Sequence, residues 1–339
     1  TMSYLKFKEN LKKKRTSNNL LWRGLFLTRD KAEEFRSSIL DLIVLISKKP
    51  KNLNFKEVSD NCLEGITGKY SYFGEFGYFQ FGLIGGLSQY FEKNPNKKIE
   101  IVTYEDYGKI LELLFPKNVK AYCTDYKFDE AYRACHYYRD REFRMTMRKH
   151  GFNKNVVKDL IYKTKGLSKI SFESGGDFFY HLVHKLEYPL EKKFEKEKII
   201  SIFPRFRKTC TDRNLGEKEW EGIIDLLLKL KYKIIVHNYS SEFIKLKNKN
   251  LLFTKNIYEQ IAYLNNSSLC ITPFSGFQHF AENCACDIFV ILNSSPEHLE
   301  IFKEHEKFNP FGTKIYRFKE NENYLLELKR VLKSLDGGK

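Results

Sequence analysis

Residues 272–282 read Thr-Pro-Phe-Ser-Gly-Phe-Gln-His-Phe-Ala-Glu and lie between two short apolar runs, 269–271 and 287–292. The runs read as consecutive buried strands, and the Ser275-Gly276 turn between them opens a helix. Such a turn leaves backbone N–H groups unpaired at a strand's carboxyl end and adds the positive end of a helix dipole. α/β folds hold phosphate in this setting. A nucleoside diphosphate is the ligand class that fits; an ordinary strand-turn-helix corner is the plainer alternative, because Ser-Gly is common in turns.

A second group of reactive residue types follows the apolar strand 199–203. Residues 204–214 read Pro-Arg-Phe-Arg-Lys-Thr-Cys-Thr-Asp-Arg-Asn, which puts Arg205, Arg207, Lys208 and Arg213 at one strand end. Guanidinium forks match phosphate oxygens, and strand carboxyl ends are the binding edge of open α/β sheets. A solvated basic loop is the competing account. His237 closes the strand 232–236 at the same edge, where it would reach a nucleobase. On the motif helix, Phe277 follows the turn, Glu282 suits a ribose hydroxyl, and His279 suits either the ligand or simple packing. Two carboxylates sit in glycine-flanked turns: Glu75 in Gly74-Glu75-Phe76-Gly77, and Asp177 in Ser174-Gly175-Gly176-Asp177. Either would serve as a general base, although acids are also ordinary turn formers.

Those residues need a frame. A chain of 339 residues exceeds one typical core and implies two domains. Hydrophobic residues make up 42% and charged residues 30%, which is globular. No run of about 18 apolar residues is present, so no membrane-spanning helix is expected; the apolar run 39–46 fits a core helix. The basic stretch Lys12-Lys13-Lys14-Arg15 is followed by Thr-Ser-Asn-Asn and not by a long apolar region, so no signal peptide is expected and the setting reads as cytoplasmic. Seven scattered cysteines read as reduced and structural, and no metal site is expected. The net charge of +16 admits nucleic acid, an anionic membrane surface or an anionic substrate such as a sugar nucleotide. No amphipathic anchor is evident for the membrane.

The pattern along the chain is a helix over 29–48, then alternation of strands and helices. An apolar run over 78–87 leads to a helix toward Phe91; a strand follows at 99–102 and a helix at 107–115. Residues 125–163, rich in Tyr and Arg, read as helical. The charged stretch 191–198 reads as a linker. Beyond it, strands at 199–203, 232–236, 251–253, 269–271 and 287–292 alternate with helices around Trp220, Ile257 and the motif, which predicts a parallel doubly wound sheet. The domains expected are 1–190, 191–320 and a terminal helix and tail over 321–339.

This order of features resembles the GT-B glycosyltransferases, and most nearly their heptosyltransferase-like (family 9) branch. Ser275-Gly276-Phe277-Gln278-His279-Phe280-Ala281 matches the family's Ser/Thr-Gly-x-x-His-x-Ala turn-helix, and residues 257–264 resemble the helix before it. Gly74-Glu75-Phe76-Gly77 is similar to the family's N-terminal Gly-acidic turn, and Asn94-Pro95 to its Asn-Pro segment. The family's Asp after the turn glycine is absent here, as is its Asp before the Thr/Ser-Gly. The resemblance implies two Rossmann-like domains facing a cleft, with a C-terminal helix packing across. The implied activity is sugar transfer from a nucleoside-diphosphate sugar to a glycan, lipid-linked glycan or other hydroxyl, inverting and needing no metal or other cofactor. A hexose or deoxyhexose fits the departures better than a heptose. A sugar-nucleotide epimerase on the same fold and a basic nucleic-acid-binding protein are the rival classes. No nucleic-acid partner is expected, and peripheral contact with an anionic membrane is left open.

Overall fold

In a computed structural model, the residues described are 49–125 apart from 75, then 141–155, 185–189, 198–206, 211–237, 246, 248–292, 311–319 and 323–337, with scattered positions between 32 and 46. The chain divides into two units. The smaller holds residues 1–51 and 140–150; the larger holds 52–139 and 151–339, and both sheets lie in it.

The first sheet is built from β1 (Phe55–Glu57), β2 (Lys69–Ser71), β3 (Ile99–Thr103), β4 (Val119–Thr124) and β5 (Asn153–Asn155), in the order β1-β4-β3-β2-β5. β1 runs antiparallel to β4 and the other pairings are parallel. After β2, helix α1 (Phe76–Tyr78) passes through a π-helical turn (Phe79–Ile84) into α2 (Gly85–Lys93). Helix therefore begins at Phe76, well ahead of the helix expected toward Phe91. α3 (Glu105–Leu114) connects β3 to β4. β5 lies inside the stretch expected to be helical. Gly151, at φ +87°, turns the chain out of the preceding helix and into extended backbone.

That preceding helix, α4 (Arg141–Lys149), belongs to the smaller unit and buries Phe143, Met145 and Met147. In the same unit Ala32, Phe35, Arg36, Ile39, Leu40, Leu42, Ile43 and Ile46 are helical. Ile39, Leu42 and Ile46 are exposed, which corrects the expectation of a core helix over 39–46. An apolar run shows that a helix has a surface to cover, and tertiary packing decides whether the fold covers it.

The second sheet carries β6 (Ile199–Ile202), β7 (Lys233–Val236), β8 (Leu251–Phe253), β9 (Leu269–Pro273), β10 (Ile288–Leu292) and β11 (Ile315–Lys319). Its order is β11-β10-β9-β6-β7-β8 with every pairing parallel. Helices α5 (Glu217–Lys229), α6 (Ile257–Asn266), α7 (Gly276–Asn283) and α8 (Tyr324–Gly337) make the crossovers and the close. All four residues of β6 are buried, as a strand covered on both faces requires.

Strand alternation sends residues to two cores. Ile200, Ile202, Leu269, Ile271, Phe289 and Ile291 join Trp220, Ile223 and Leu227 of α5 and Leu328, Val331 and Leu332 of α8. The terminal helix thus packs into the second half's own core. Cys270, Ile288 and Val290 face the other way. There they meet α6, α7 and residues of the first half, including Phe79, Leu83 and Leu87, in one continuous cluster. Asn265 adds a polar clamp: its side chain donates to the carbonyls of Leu186 (2.9 Å) and Cys284 (3.0 Å) and accepts from the Tyr188 amide (3.1 Å).

Five described cysteines are unpaired thiols, and burial pushes those of Cys270, Cys284 and Cys286 upward in pKa, so they stay protonated.

Candidate active site

β6 is the first strand of the second sheet in sequence, and β7 and β9 flank it on opposite sides. The chain builds outward through β7 and β8, then returns to continue through β9, β10 and β11. Strand order therefore reverses between β6 and β9. A crevice opens at such a point, outside the carboxyl ends of the strands, and ligands bind there. Because the strands are parallel, the segments after β6, β7 and β9 all emerge at this edge. They carry Arg205, His237 and the Ser275-Gly276 turn.

Ser275 is the N-cap of α7 in extended backbone, and its Oγ accepts from the Phe277 amide at 3.3 Å. Thr272 Oγ1 lies 3.4 Å from Ser275 Oγ and steadies it. Phe277 stacks on Phe203, which directly follows β6, with ring centroids 4.2 Å apart and planes 2° from parallel. This stack fixes the two strand ends against each other. His237 lies against the same ring at 5.1 Å.

The cations are organised around this turn. Arg213 sets its guanidinium 5.0 Å from the centroid of Phe274, the residue before Ser275. Arg205 is buried, and its Nη1 donates to Asn214 Oδ1, beside Arg213. Arg213 is thereby held beside the start of α7, with Arg205 bonded to its neighbour Asn214. Arg207 and Lys208 lie outside the described residues, as do Asp177 and Glu75.

His237 is fully buried with Nε2 2.8 Å from Ser201 Oγ, while Nδ1 has no protein partner. Desolvation lowers its pKa to about 3, so the ring is neutral across the physiological range. His279 and Glu282, read from sequence as ligand contacts, lie 3.1 Å apart (Nδ1 to Oε2), and the carboxylate is largely buried. Among the described residues no group of three His, Cys, Asp or Glu side chains gathers that could hold a metal ion.

The first half meets this turn directly. A Cβ placed on Gly276 would lie 2.5 Å from the Gly77 nitrogen and 2.7 Å from its Cα. Phe76 packs edge-on against Phe280 at 5.4 Å. The Tyr107 hydroxyl donates to the Gly74 carbonyl at 3.3 Å and holds the glycine turn from behind. The two turns singled out in the sequence, far apart along the chain, are thus in backbone contact.

Three amides at this junction escaped the sequence reading. Asn283 Nδ2 donates to Gln80 Oε1 at 2.7 Å, and both side chains are buried. Replacing Asn283 with alanine leaves the Gln80 amide buried and unmet, so a loss of about 1–3 kcal/mol is expected in chemical denaturation. A Gln80→Leu, Asn283→Leu pair recovering part of that loss would confirm desolvation as its cause. Gln278 is fully buried with neither end of its amide partnered. The Ser275-x-x-Gln278 spacing is that of a capping box, but the Gln278 amide does not make that bond.

No protein-family model matches the chain, and no curated protein matches it. Among solved structures it is similar to E. coli ADP-heptose LPS heptosyltransferase II, with a TM-score of 0.52 and 9% identity over 80% of this chain and 98% of that one. It is also similar to a family 9 glycosyl transferase from Veillonella parvula (TM-score 0.47, 12% identity, 82% and 92% covered). A putative UDP-N-acetylglucosamine 2-epimerase from Listeria monocytogenes is more distant (TM-score 0.39, 11% identity, 81% and 98% covered). The first likeness establishes the fold. The chain has the GT-B architecture expected from the order of its elements, at very low identity.

Proposed function

We propose that this chain is a glycosyltransferase that moves a sugar from a nucleoside-diphosphate sugar to a hydroxyl of a glycan or lipid-linked glycan. One observation carries the reading. A capped helix start at the strand-order reversal of a Rossmann-like sheet has Arg213 against the residue before it, Arg205 bonded to Asn214 next to Arg213, and the glycine turn of the opposite half in contact with it.

In this reading the diphosphate lies along Ser275, Gly276 and the first amides of α7. The helix dipole and the cations Arg205 and Arg213, joined by Arg207 and Lys208, offset the charge that builds on the leaving group. The neutral His237, with Nδ1 unpartnered, faces the nucleoside as a hydrogen-bonding group. The acceptor oxygen attacks the anomeric carbon, the bond from that carbon to the diphosphate oxygen breaks, and a carboxylate takes the acceptor's proton. Glu75 is the first candidate for that base, being next to the turn that meets Gly276, and Asp177 is the second. The displacement is direct and inverting. It relies on fixed cations where other transferases use a metal, moves a hexose or deoxyhexose, and operates in the cytoplasm in glycan synthesis. His279 and Glu282, paired with each other, support α7.

The test is a thermal-shift series with nucleoside diphosphates and nucleotide sugars on the wild type and an Arg205→Ala, Arg207→Ala variant. Ligand at a hundred times its Kd stabilises the native state by about 2.7 kcal/mol. A base-selective rise in Tm that the variant loses is expected. No rise with any nucleotide at millimolar concentration overturns the reading. Sugar found on an added acceptor, and not as an epimerised nucleotide sugar, identifies transfer.

A further inference from the structure

The His237 ring is gripped on three sides. Its residue's backbone amide donates to the Ile202 carbonyl at 2.9 Å, its face lies against Phe277, and Nε2 lies 2.8 Å from Ser201 Oγ. Nδ1 is left without a protein partner. A neutral imidazole has one N–H and one bare nitrogen, and its neighbours decide which is which.

Those neighbours form a chain of hydrogen bonds with a fixed direction. The Tyr263 carbonyl can only accept, and the Ser267 hydroxyl donates to it at 2.8 Å. A hydroxyl has one hydrogen, so Ser267 Oγ meets Ser201 Oγ, 2.7 Å away, as an acceptor. Ser201 therefore directs its own hydrogen to Ser267 and has only lone pairs to offer the ring. Nε2 must donate to it, and Nδ1 is the bare nitrogen. The chain crosses three elements: Ser267 is the C-cap of α6, Ser201 lies within β6, and His237 follows β7.

We propose that Ser201 and Ser267 are positioning residues that lock the His237 proton on Nε2, so that the nucleoside end of the site offers an acceptor and takes its ligand through an N–H or O–H. This rests on the nucleotide reading of the site and narrows it. A base edge carrying only ring nitrogens or carbonyl oxygens would set lone pair against lone pair there, and unmatched polar groups in a buried place are costly. An amine or ring N–H of a base, or a ribose hydroxyl, matches Nδ1. The serines touch no ligand in this arrangement and act through the ring.

The lock is tested on the whole chain without ligand. Long-range proton–nitrogen correlation spectra of isotope-labelled protein separate a bare ring nitrogen from a protonated one. The chain has eight histidines, and the signals of His237 are those missing from His237→Gln. A bare Nδ1 and a protonated Nε2 are expected in the wild type and in Ser201→Thr, which keeps the hydroxyl. Ser201→Ala removes the acceptor of Nε2, and Ser267→Ala frees the Ser201 hydrogen to turn toward the ring. Both are expected to give the averaged shifts of mixed tautomers, with Tm reporting that each variant is folded. A proton on Nδ1 in the wild type, or wild-type shifts in either alanine variant, overturns the lock. The contact is then tested with the nucleoside diphosphate that raises Tm most. The Nδ1 signal is expected to move upfield with Nε2 still protonated, and affinity to fall by about three- to tenfold in Ser201→Ala. Loss of the Nδ1 change with a ribose-deoxygenated analogue identifies a hydroxyl as the donor; its retention identifies the base. A nucleotide that raises Tm but leaves Nδ1 unmoved overturns the contact and leaves the transferase reading intact. If no nucleotide raises Tm, that reading fails and the contact with it, while the ligand-free spectra still decide the lock.

Discussion

Gly276→Ala is expected to destabilise the protein by about 3 kcal/mol, the upper end of what one inserted methyl costs in a well-packed place. The added carbon meets the nitrogen and Cα of Gly77 at 2.5 and 2.7 Å and the Phe76 carbonyl carbon at 3.2 Å. All three are backbone atoms, so no side chain can rotate away. Relief must come from moving α7 away from α1, which disturbs the edge-on contact of Phe76 with Phe280 and stretches the Gln80–Asn283 hydrogen bond. Gly276 has no positive φ, so steric contact and not backbone conformation sets the cost. Gly222 supplies the control. It lies inside α5, where a Cβ would meet only Leu325 Cδ1 at an ordinary 3.6 Å. Gly222→Ala therefore gains helix propensity and is expected to stabilise by about 0.8–1 kcal/mol. Urea denaturation of the two variants should move in opposite directions. A Gly276→Ala midpoint equal to the wild type would refute the close approach. In the proposed reading, the same variant also weakens nucleotide-induced stabilisation, because the turn that receives the diphosphate is displaced.

The strands of the second sheet were legible because parallel strands covered on both faces read as near-continuous apolar runs: 288–292 is wholly apolar, 234–236 is apolar after Lys233, and 199–202 is interrupted only by Ser201. The motif turn was legible for a different reason. Ser275 and Gly276 are the residue types that a cap and a close backbone approach require. What Gly276 approaches was not legible, since nothing in local spacing points to Gly77. The same holds for Asn283 and Gln80, 203 residues apart, whose pairing follows only from the packing of two sheets. β2 and β5, with three residues each, carry too little pattern to separate from loop; β2 is held by β3 beside it and β5 by β2. Arg205 was read as a fork for phosphate; its guanidinium is buried and bonded to Asn214. Residue type predicted the cation, and only the fold shows that it is held in place.

The continuous core joining the two halves bears on how the site is assembled. Phe79, Leu83 and Leu87 of the first half share a cluster with Phe277 and Phe280 of α7. Rings run without a break from Phe203 through Phe277, Phe280 and Phe76 to Phe79 and Tyr107. The start of α7 is thus positioned by both sheets at once. Close packing resists small displacements of either. Such a site is organised before any ligand arrives, which favours electrostatic stabilisation of a leaving group because the dipoles need no reorientation.

His237 gives the sharpest expectation in pH. Its imidazole is fully buried, 2.8 Å from Ser201 Oγ, which in turn lies 2.7 Å from Ser267 Oγ. Phe277 covers the ring, and desolvation holds its pKa near 3 against 6.5 in an unfolded chain. Between those values the unfolded state binds a proton that the native state refuses. The native state is therefore favoured fully above pH 6.5 and loses that advantage as the pH falls toward 3, by up to about 1.4 kcal/mol per pH unit. At pH 4 the loss relative to neutral pH is about 3 kcal/mol. Carboxylates titrate in the same acid range, so the comparison is with His237→Gln, which keeps a polar group near Ser201 but cannot take up the proton. Denaturation at pH 7, 5.5 and 4.5 should show the wild type falling more steeply than the variant, with the two stabilities converging or crossing in acid. Parallel curves would mean that the ring protonates in place, and that a neutral His237 cannot be assumed at the nucleoside end of the site.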